Sequence, residues 1–150
     1  MKIFVTVGTT PFDSLIKSID EKVANTQGID VIFQISDGKY KPRFGDFFKF
    51  SKNIHDYYNS ADVVITHAGA GSIYSLVESK VKTIIVPNLD RIDKHQIDIA
   101  RFMECNGYAL VMWDFENPLK IVQEAKSTNF NPYVKEEFFK VDEILEYIGF

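Results

Sequence analysis

Cysteine is nearly absent from this chain. Cys105 is the one cysteine in 150 residues, which excludes an internal disulfide, and its place in a helical pattern suits a small buried hydrophobe. Long apolar runs are missing as well. The longest, around Val63-Val64-Ile65 and Ile84-Ile85-Val86, fall far short of the roughly 20 residues that a membrane-spanning helix requires. The opening residues Met1-Lys2-Ile3 lead straight into a strand-like stretch, without the basic, apolar and small-residue segments of a signal peptide, so a cytoplasmic location is expected. No basic stripe exists either: 17 Lys and Arg are interspersed with 21 Asp and Glu for a net charge of −4, which argues against a nucleic-acid partner. His55, His67 and His95 lie far apart in sequence without ligand spacing, so no metal site is expected. The Walker pattern G-x-x-x-x-G-K-[ST] is lacking. So are G-x-G-x-x-G and an acidic residue closing the second strand, and a dinucleotide dehydrogenase site is therefore poorly supported.

What is present reads as one globular domain over residues 1–150, with 45% apolar and 25% charged residues and no repeat, linker or low-complexity tract. Lys2 to Val7 is β-branched and apolar, Gly8-Thr9-Thr10-Pro11 breaks it, and Phe12, Leu15, Ile16 and Ile19 repeat at helical spacing. Val31 to Ile35 predicts a second strand and Phe47 to Phe50 a short third. A helix from Ile54 to Ser60 leads to the apolar strand Ala61 to Thr66, then to His67-Ala68-Gly69-Ala70-Gly71-Ser72 and a helix through about Glu78. The strand Thr83 to Pro87 precedes a loop and a helix from Lys94 to Cys105, with Gly107 capping its end before the strand Tyr108 to Met112. Helices from Pro118 to Ser127 and from Val134 to Ile148 are expected to complete the chain. Apolar strands alternating with helices predict an α/β fold, a Rossmann-like parallel sheet with helices on both faces, because each parallel crossover needs a helix to return the chain.

In such a sheet, ligands bind at the carboxyl ends of the strands, where strand order reverses. Three stretches are expected to meet there: Gly8-Thr9-Thr10, His67 to Ser72, and Pro87 to Gln96. The small residues Ala68, Gly69, Ala70 and Gly71 allow close backbone approach and open a helix whose free N–H groups favour an anion such as a diphosphate, although the same glycines also suit a tight turn alone. Asp93 suits a helix N-cap, whereas the carboxamide of Gln96, at the helix start, can donate to and accept from sugar hydroxyls.

Taken together, Phe4 to Asp13, Ala61 to Ser72, Ile84 to Pro87 and Asp93-Lys94-His95-Gln96 resemble the C-terminal domain of family 28 glycosyltransferases. Within that group the chain is most similar to stand-alone small subunits: the cytosolic catalytic subunit of the eukaryotic dolichol-linked N-acetylglucosaminyltransferase, and bacterial capsule and exopolysaccharide counterparts. The resemblance implies the C-terminal half of a GT-B fold. It implies that a UDP-sugar is bound as substrate, with no cofactor and no essential metal ion. Gly8, Thr9 and Thr10 would lie by the diphosphate, Ile54 by the uracil, His67 to Ser72 along the nucleotide, and Asp93 and Gln96 by the donor sugar. A membrane-associated acceptor-binding glycosyltransferase subunit would hold the lipid-linked saccharide acceptor, leaving this chain cytoplasmic and peripheral to the membrane through that partner. The rival reading is a non-catalytic accessory subunit that enhances a partner transferase. Relatives often carry a glutamate for the ribose where this chain has Ser75, and His67 is the candidate for a general base. The stripe Val134, Phe138, Val141, Leu145 and Ile148 is expected to serve either the domain's own core or the docking of the partner.

Overall fold

The computed structural model describes residues 1–89 and 94–135. Its elements run β1 (Lys2–Thr6), α1 (Asp13–Val23), β2 (Asp30–Gln34), β3 (Asp46–Phe48), α2 (Ile54–Ser60), β4 (Val63–His67), α3 (Ala70–Glu78), β5 (Thr83–Val86), α4 (Lys94–Cys105), β6 (Leu110–Val111) and α5 (Pro118–Ser127). Among the described residues the strands form one parallel sheet in the order β3-β2-β1-β4-β5-β6. The order reverses between β1 and β4, which places the topological switch point over the carboxyl ends of those two strands. The expected Rossmann-like fold is observed.

Side chains alternate along each strand, and here both faces are covered. Ile3, Val5, Phe33, Ile65 and Ile84 pack with Leu15, Ile16 and Ile19 of α1 and with Val122 and Ala125 of α5. On the opposite face, Phe4 and Val64 meet Tyr58 and Leu76, while Ile85 and Val111 meet Ile73, Ala100 and Met103. Phe4 anchors an aromatic group, with ring centroids 5.2 Å from Tyr57 and 5.9 Å from Tyr58. The continuous apolar runs of β1, β4 and β5 are what a strand buried on both faces demands.

Several expectations are corrected. Cys105 is exposed: the buried residues of α4 are Ala100 and Met103, and Cys105 lies two residues beyond Met103, about 200° around the helix at 3.6 residues per turn. β4 extends to His67, which pairs with Val86, so His67 closes a strand instead of opening a loop. β6 is shorter than Tyr108 to Met112, because this edge strand pairs only through Leu110 and Val111 with Ile84 and Ile85. Gly107 does end α4. Its φ of +68° is the left-handed conformation that glycine favours, and the Gly107 N–H to Glu104 O and Tyr108 N–H to Met103 O bonds, 3.0 and 2.9 Å, satisfy carbonyls of the last turn. Val134 and Lys135 stand outside any helix, and the remainder of the expected final helix lies outside the described residues, as does Asp93.

Two buried polar side chains tie the β2–β3 connection to the rest of the domain. Asp20 of α1, fully buried, accepts hydrogen bonds from Tyr40 Oη (2.7 Å), Arg43 N (2.9 Å) and Phe44 N (2.9 Å). Gln34, at the end of β2, is 3% exposed and reaches across to the loop that follows β1.

Candidate functional site

Over the switch point lies a cavity of about 680 Å³, within the range of small-ligand sites. The β1–α1 loop contributes Thr10, Pro11 and Phe12. The end of β4 and the start of α3 contribute His67, Ala68, Gly69 and Ala70, and the stretch after β5 contributes Asn88, His95 and Gln96. The three stretches expected to converge therefore share one cavity. Tyr74 of α3 and Asp98, Ile99 and Phe102 of α4 form its remaining wall, none of them assigned to the site by the sequence reading. Gly8, Thr9, Gly71, Ser72 and Ile54 are not brought into that lining. Ile54 packs instead with Phe4, Tyr58 and Leu76 on the α2 side of the sheet.

Each stretch has a physical reason for its shape. Gly8 turns the chain with a φ of +61°, a conformation costly for a residue with a Cβ. Behind it, Ser36 Oγ donates to the Thr9 carbonyl at 3.0 Å. Helix α3 begins after Gly69 with no side-chain cap and no acidic residue in its first turn, so the N–H groups there and the positive end of the helix dipole are available to an anion. Ser72 instead hydrogen-bonds the phenol of Tyr58, whose pKa is raised by burial, the Ser72 bond working the other way. Gln96 Oε1 accepts from the backbone N–H of Asn88 at 3.0 Å, so this carboxamide clamps the β5–α4 connection and what it offers a sugar is chiefly its N–H donors.

His67 sits at the centre. A Cβ added to Gly8 would lie 2.5 Å from His67 Cε1, and one added to Gly69 would lie 2.2 Å from Nε2. The imidazole thus fills the gap between the two glycine loops and sets their separation. Both glycines are small for a reason the sequence does not display: each makes room for this ring. Among the described residues, His67 Nδ1 is buried without a well-formed hydrogen bond. Burial lowers the His67 pKa from its ordinary 6.5, the backbone of Thr6 opposing this, so the ring is neutral at pH 7.

Below pH 6.5 the unfolded chain takes up this proton more readily than the folded one, so the contribution of His67 to stability is complete above pH 6.5 and is lost as pH falls through the lowered folded value. Urea unfolding at pH 7.5 and pH 5.5 is expected to show a larger loss in the wild type than in His67→Gln. An equal loss in the two proteins would remove His67 as the cause.

Among the described residues, no group of three or more His, Cys, Asp or Glu side chains is placed to hold a metal ion, although His67 and His95 line the same cavity. No described helix is long and apolar enough to cross a membrane.

Residues 2–138 match the glycosyltransferase family 28 C-terminal domain. The UDP-N-acetylglucosamine transferase subunit ALG13 of Homo sapiens is 31% identical over 118 residues, a match that covers 71% of this chain and 10% of the human protein. The chain thus spans about a tenth of that relative's length. Among solved structures, the glycotransferase of kitacinnamycin superposes with a TM-score of 0.68 at 20% identity, covering 85% of this chain and 35% of that one. The solution structure of ALG13 superposes with a TM-score of 0.63 at 18% identity, covering 98% and 94%.

Proposed function

Because this chain belongs to the glycosyltransferase family 28 C-terminal domains, we propose that it is the donor-binding subunit of a two-component glycosyltransferase that transfers a sugar from a UDP-sugar to a lipid-linked saccharide. The observation that carries this reading is the uncapped N-terminus of α3 opening onto a 680 Å³ cavity shared by the ends of β1, β4 and β5. An anionic diphosphate suits that helix end, and the cavity leaves room beyond it for a hexose along Gln96 and Asp98. The named donor of the human relative makes UDP-N-acetylglucosamine the first candidate.

In this reading Gly8 to Thr10 and Ala68 to Ser72 hold UDP, with Ile54 toward the uracil, and Asp93 and Gln96 address the donor sugar. No cofactor is resident, since the UDP-sugar is itself a substrate. The attacking acceptor hydroxyl must lose its proton while departing UDP gains negative charge, and the helix end stabilises the latter. Neutral His67 is in a state to accept a proton, yet its ring is boxed between Gly8 and Gly69, which favours a positioning role. The acceptor, and with it the general base, belongs to a membrane-associated partner subunit in a capsule, exopolysaccharide or related glycan route, and this chain sits in the cytoplasm against that partner.

Calorimetric titration of the isolated chain with UDP and UDP-N-acetylglucosamine tests the donor half. Saturable binding of UDP, tighter than that of uridine, is expected. A folded chain that binds neither nucleotide would leave the accessory-subunit reading in its place.

Gln96 separates sugar from nucleotide. Gln96→Glu keeps an acceptor for Asn88 N but removes the N–H donors, so kcat/KM with the UDP-sugar and the partner is expected to fall about tenfold or more while UDP affinity holds. Gln96→Ala also releases Asn88 and is expected to lower the melting temperature. Equal losses for UDP and UDP-sugar in Gln96→Glu would contradict this division.

A further inference from the structure

We propose that Gln34 is the positioning residue of the β1–α1 loop, the side chain that fixes Gly8 against His67 so that the loop is preformed for a diphosphate. The proposal rests on the donor-site reading for its ligand, though not for its geometry.

One amide uses all of its hydrogen-bonding capacity here. Gln34 Oε1 accepts from Thr6 Oγ1 at 2.6 Å and from Gly8 N at 3.0 Å, while Nε2 donates to Gly8 O at 2.7 Å and to Lys49 O at 2.7 Å. Both backbone polar groups of Gly8 are therefore held by a single side chain from the neighbouring strand. Thr6 Oγ1 gives its proton to Gln34 and faces Gly8 N at 3.3 Å, so it reinforces the same point. Gly8 in turn abuts the imidazole of His67, and the same ring abuts Gly69 at the entrance to α3. A chain of direct contacts thus runs from β2 through Gly8 and His67 to the helix end that faces the cavity.

A buried amide is costly unless it is paired, and Gln34 ends a strand whose neighbours Phe33 and Ile35 are fully buried apolar residues. An apolar residue there would satisfy the core. It would leave Gly8 N and Gly8 O to find other partners, and the left-handed turn at Gly8 would lose its only side-chain restraint from β2. The two remaining bonds, to Thr6 and Lys49, link β1 to the segment after β3, which gives Gln34 a structural share too. The experiment must separate that share from loop positioning.

Gln34→Met preserves length and volume without hydrogen bonds, and Thr6→Val, which removes only the hydroxyl bonded to Gln34 Oε1 and Gly8 N, is a milder variant should Gln34→Met fail to fold. In folded Gln34→Met, UDP affinity is expected to fall about tenfold or more while uridine affinity changes less than about twofold, because the loop serves the diphosphate and not the base. Backbone amide exchange at residues 8–10 is expected to speed up without ligand, and the same direction of change, smaller, is expected in Thr6→Val. Gln34→Glu gives a pH signature. It keeps the acceptor for Gly8 N but must carry a proton to donate to Gly8 O or Lys49 O, so its UDP affinity relative to wild type should recover as pH falls from 8 to about 6, buried carboxyls titrating high. Equal loss of UDP and uridine would reduce Gln34 to a structural role and overturn the proposal, as would unchanged exchange at residues 8–10. If the wild type binds no UDP, the donor-site reading fails, and the exchange measurement still decides whether Gln34 orders the loop.

Discussion

Gly69→Ala is expected to lower the unfolding free energy by about 1–3 kcal/mol and to weaken UDP binding by at least about tenfold, an unusually large effect for one methyl group. The backbone is not the reason. Gly69 has φ −86° and ψ 123°, a conformation open to alanine. The added Cβ would stand 2.2 Å from His67 Nε2 and 2.7 Å from Cε1, closer than any tolerated contact. The ring cannot retreat toward Gly8, where it already occupies the space that a side chain would need, 2.5 Å from Cε1, so its one open route is into the cavity it lines. Either the start of α3 moves away from β4 or the ring turns into the cavity, and both disturb the space in which the ligand would lie. His67→Ala should relieve the clash, so the double variant is expected to be more stable than Gly69→Ala alone, a strong departure from additivity. Gly71→Val provides the contrast. A Cβ at Gly71 meets nothing within 4 Å, so this variant should fold normally and lose UDP by entering the space in front of the helix end. Additive effects of His67→Ala and Gly69→Ala would show that the ring does not hold the two loops apart, and an unchanged UDP affinity in Gly71→Val would move the diphosphate elsewhere.

The contrast between Gly69 and Gly71 also shows what the sequence discloses. His67-Ala68-Gly69-Ala70-Gly71-Ser72 announces a close-approach loop, but the two glycines look alike until the imidazole is seen against one and open space before the other. Helices α2 and α5 begin and end where expected, because their limits carry chemical marks: Pro118 in the first turn of α5, and the apolar run of β4 directly after α2. The parallel sheet was legible for the same reason, since β1, β4 and β5 are continuous apolar runs. Polar residues inside elements were not. Asp20 follows Ile19 in an amphipathic helix and Gln34 follows Phe33 in a strand, and at either place a polar side chain reads as a solvent position. Only partners distant in sequence, Tyr40 to Phe44 for Asp20 and Gly8 with Lys49 for Gln34, show them buried and saturated. The far wall of the cavity escaped notice because Tyr74 and Phe102 sit at ordinary helical positions and become a wall only when α3 and α4 cover the same face of the sheet.

Asp20→Ala is expected to be the more damaging of these changes to stability, and harmless to the ligand site. The carboxylate is fully buried and accepts from Arg43 N at 2.9 Å, from Phe44 N at 2.9 Å and from Tyr40 Oη at 2.7 Å. Removing it strands two backbone donors that enter β3 as well as a phenol, and a cavity replaces the carboxyl group. With about 1–3 kcal/mol for each partly buried group left unpaired, offset where water enters, a loss of about 3 kcal/mol follows. Tyr40→Phe deletes one of the bonds without stranding a backbone group and is expected to cost about 1 kcal/mol. Asp20→Asn retains one acceptor and should fall between the two. Asp20 sits on the α1 face turned toward residues 40–44 and lines no part of the cavity, so UDP affinity measured well below the melting temperature is expected to stay within about twofold of wild type. Denaturant unfolding of the three variants, with UDP titration of each, checks both halves. If Tyr40→Phe proves as costly as Asp20→Ala, the phenol and not the paired backbone amides carries the tether. If Asp20→Ala folds and has lost UDP, the β2–β3 connection is part of the ligand site after all.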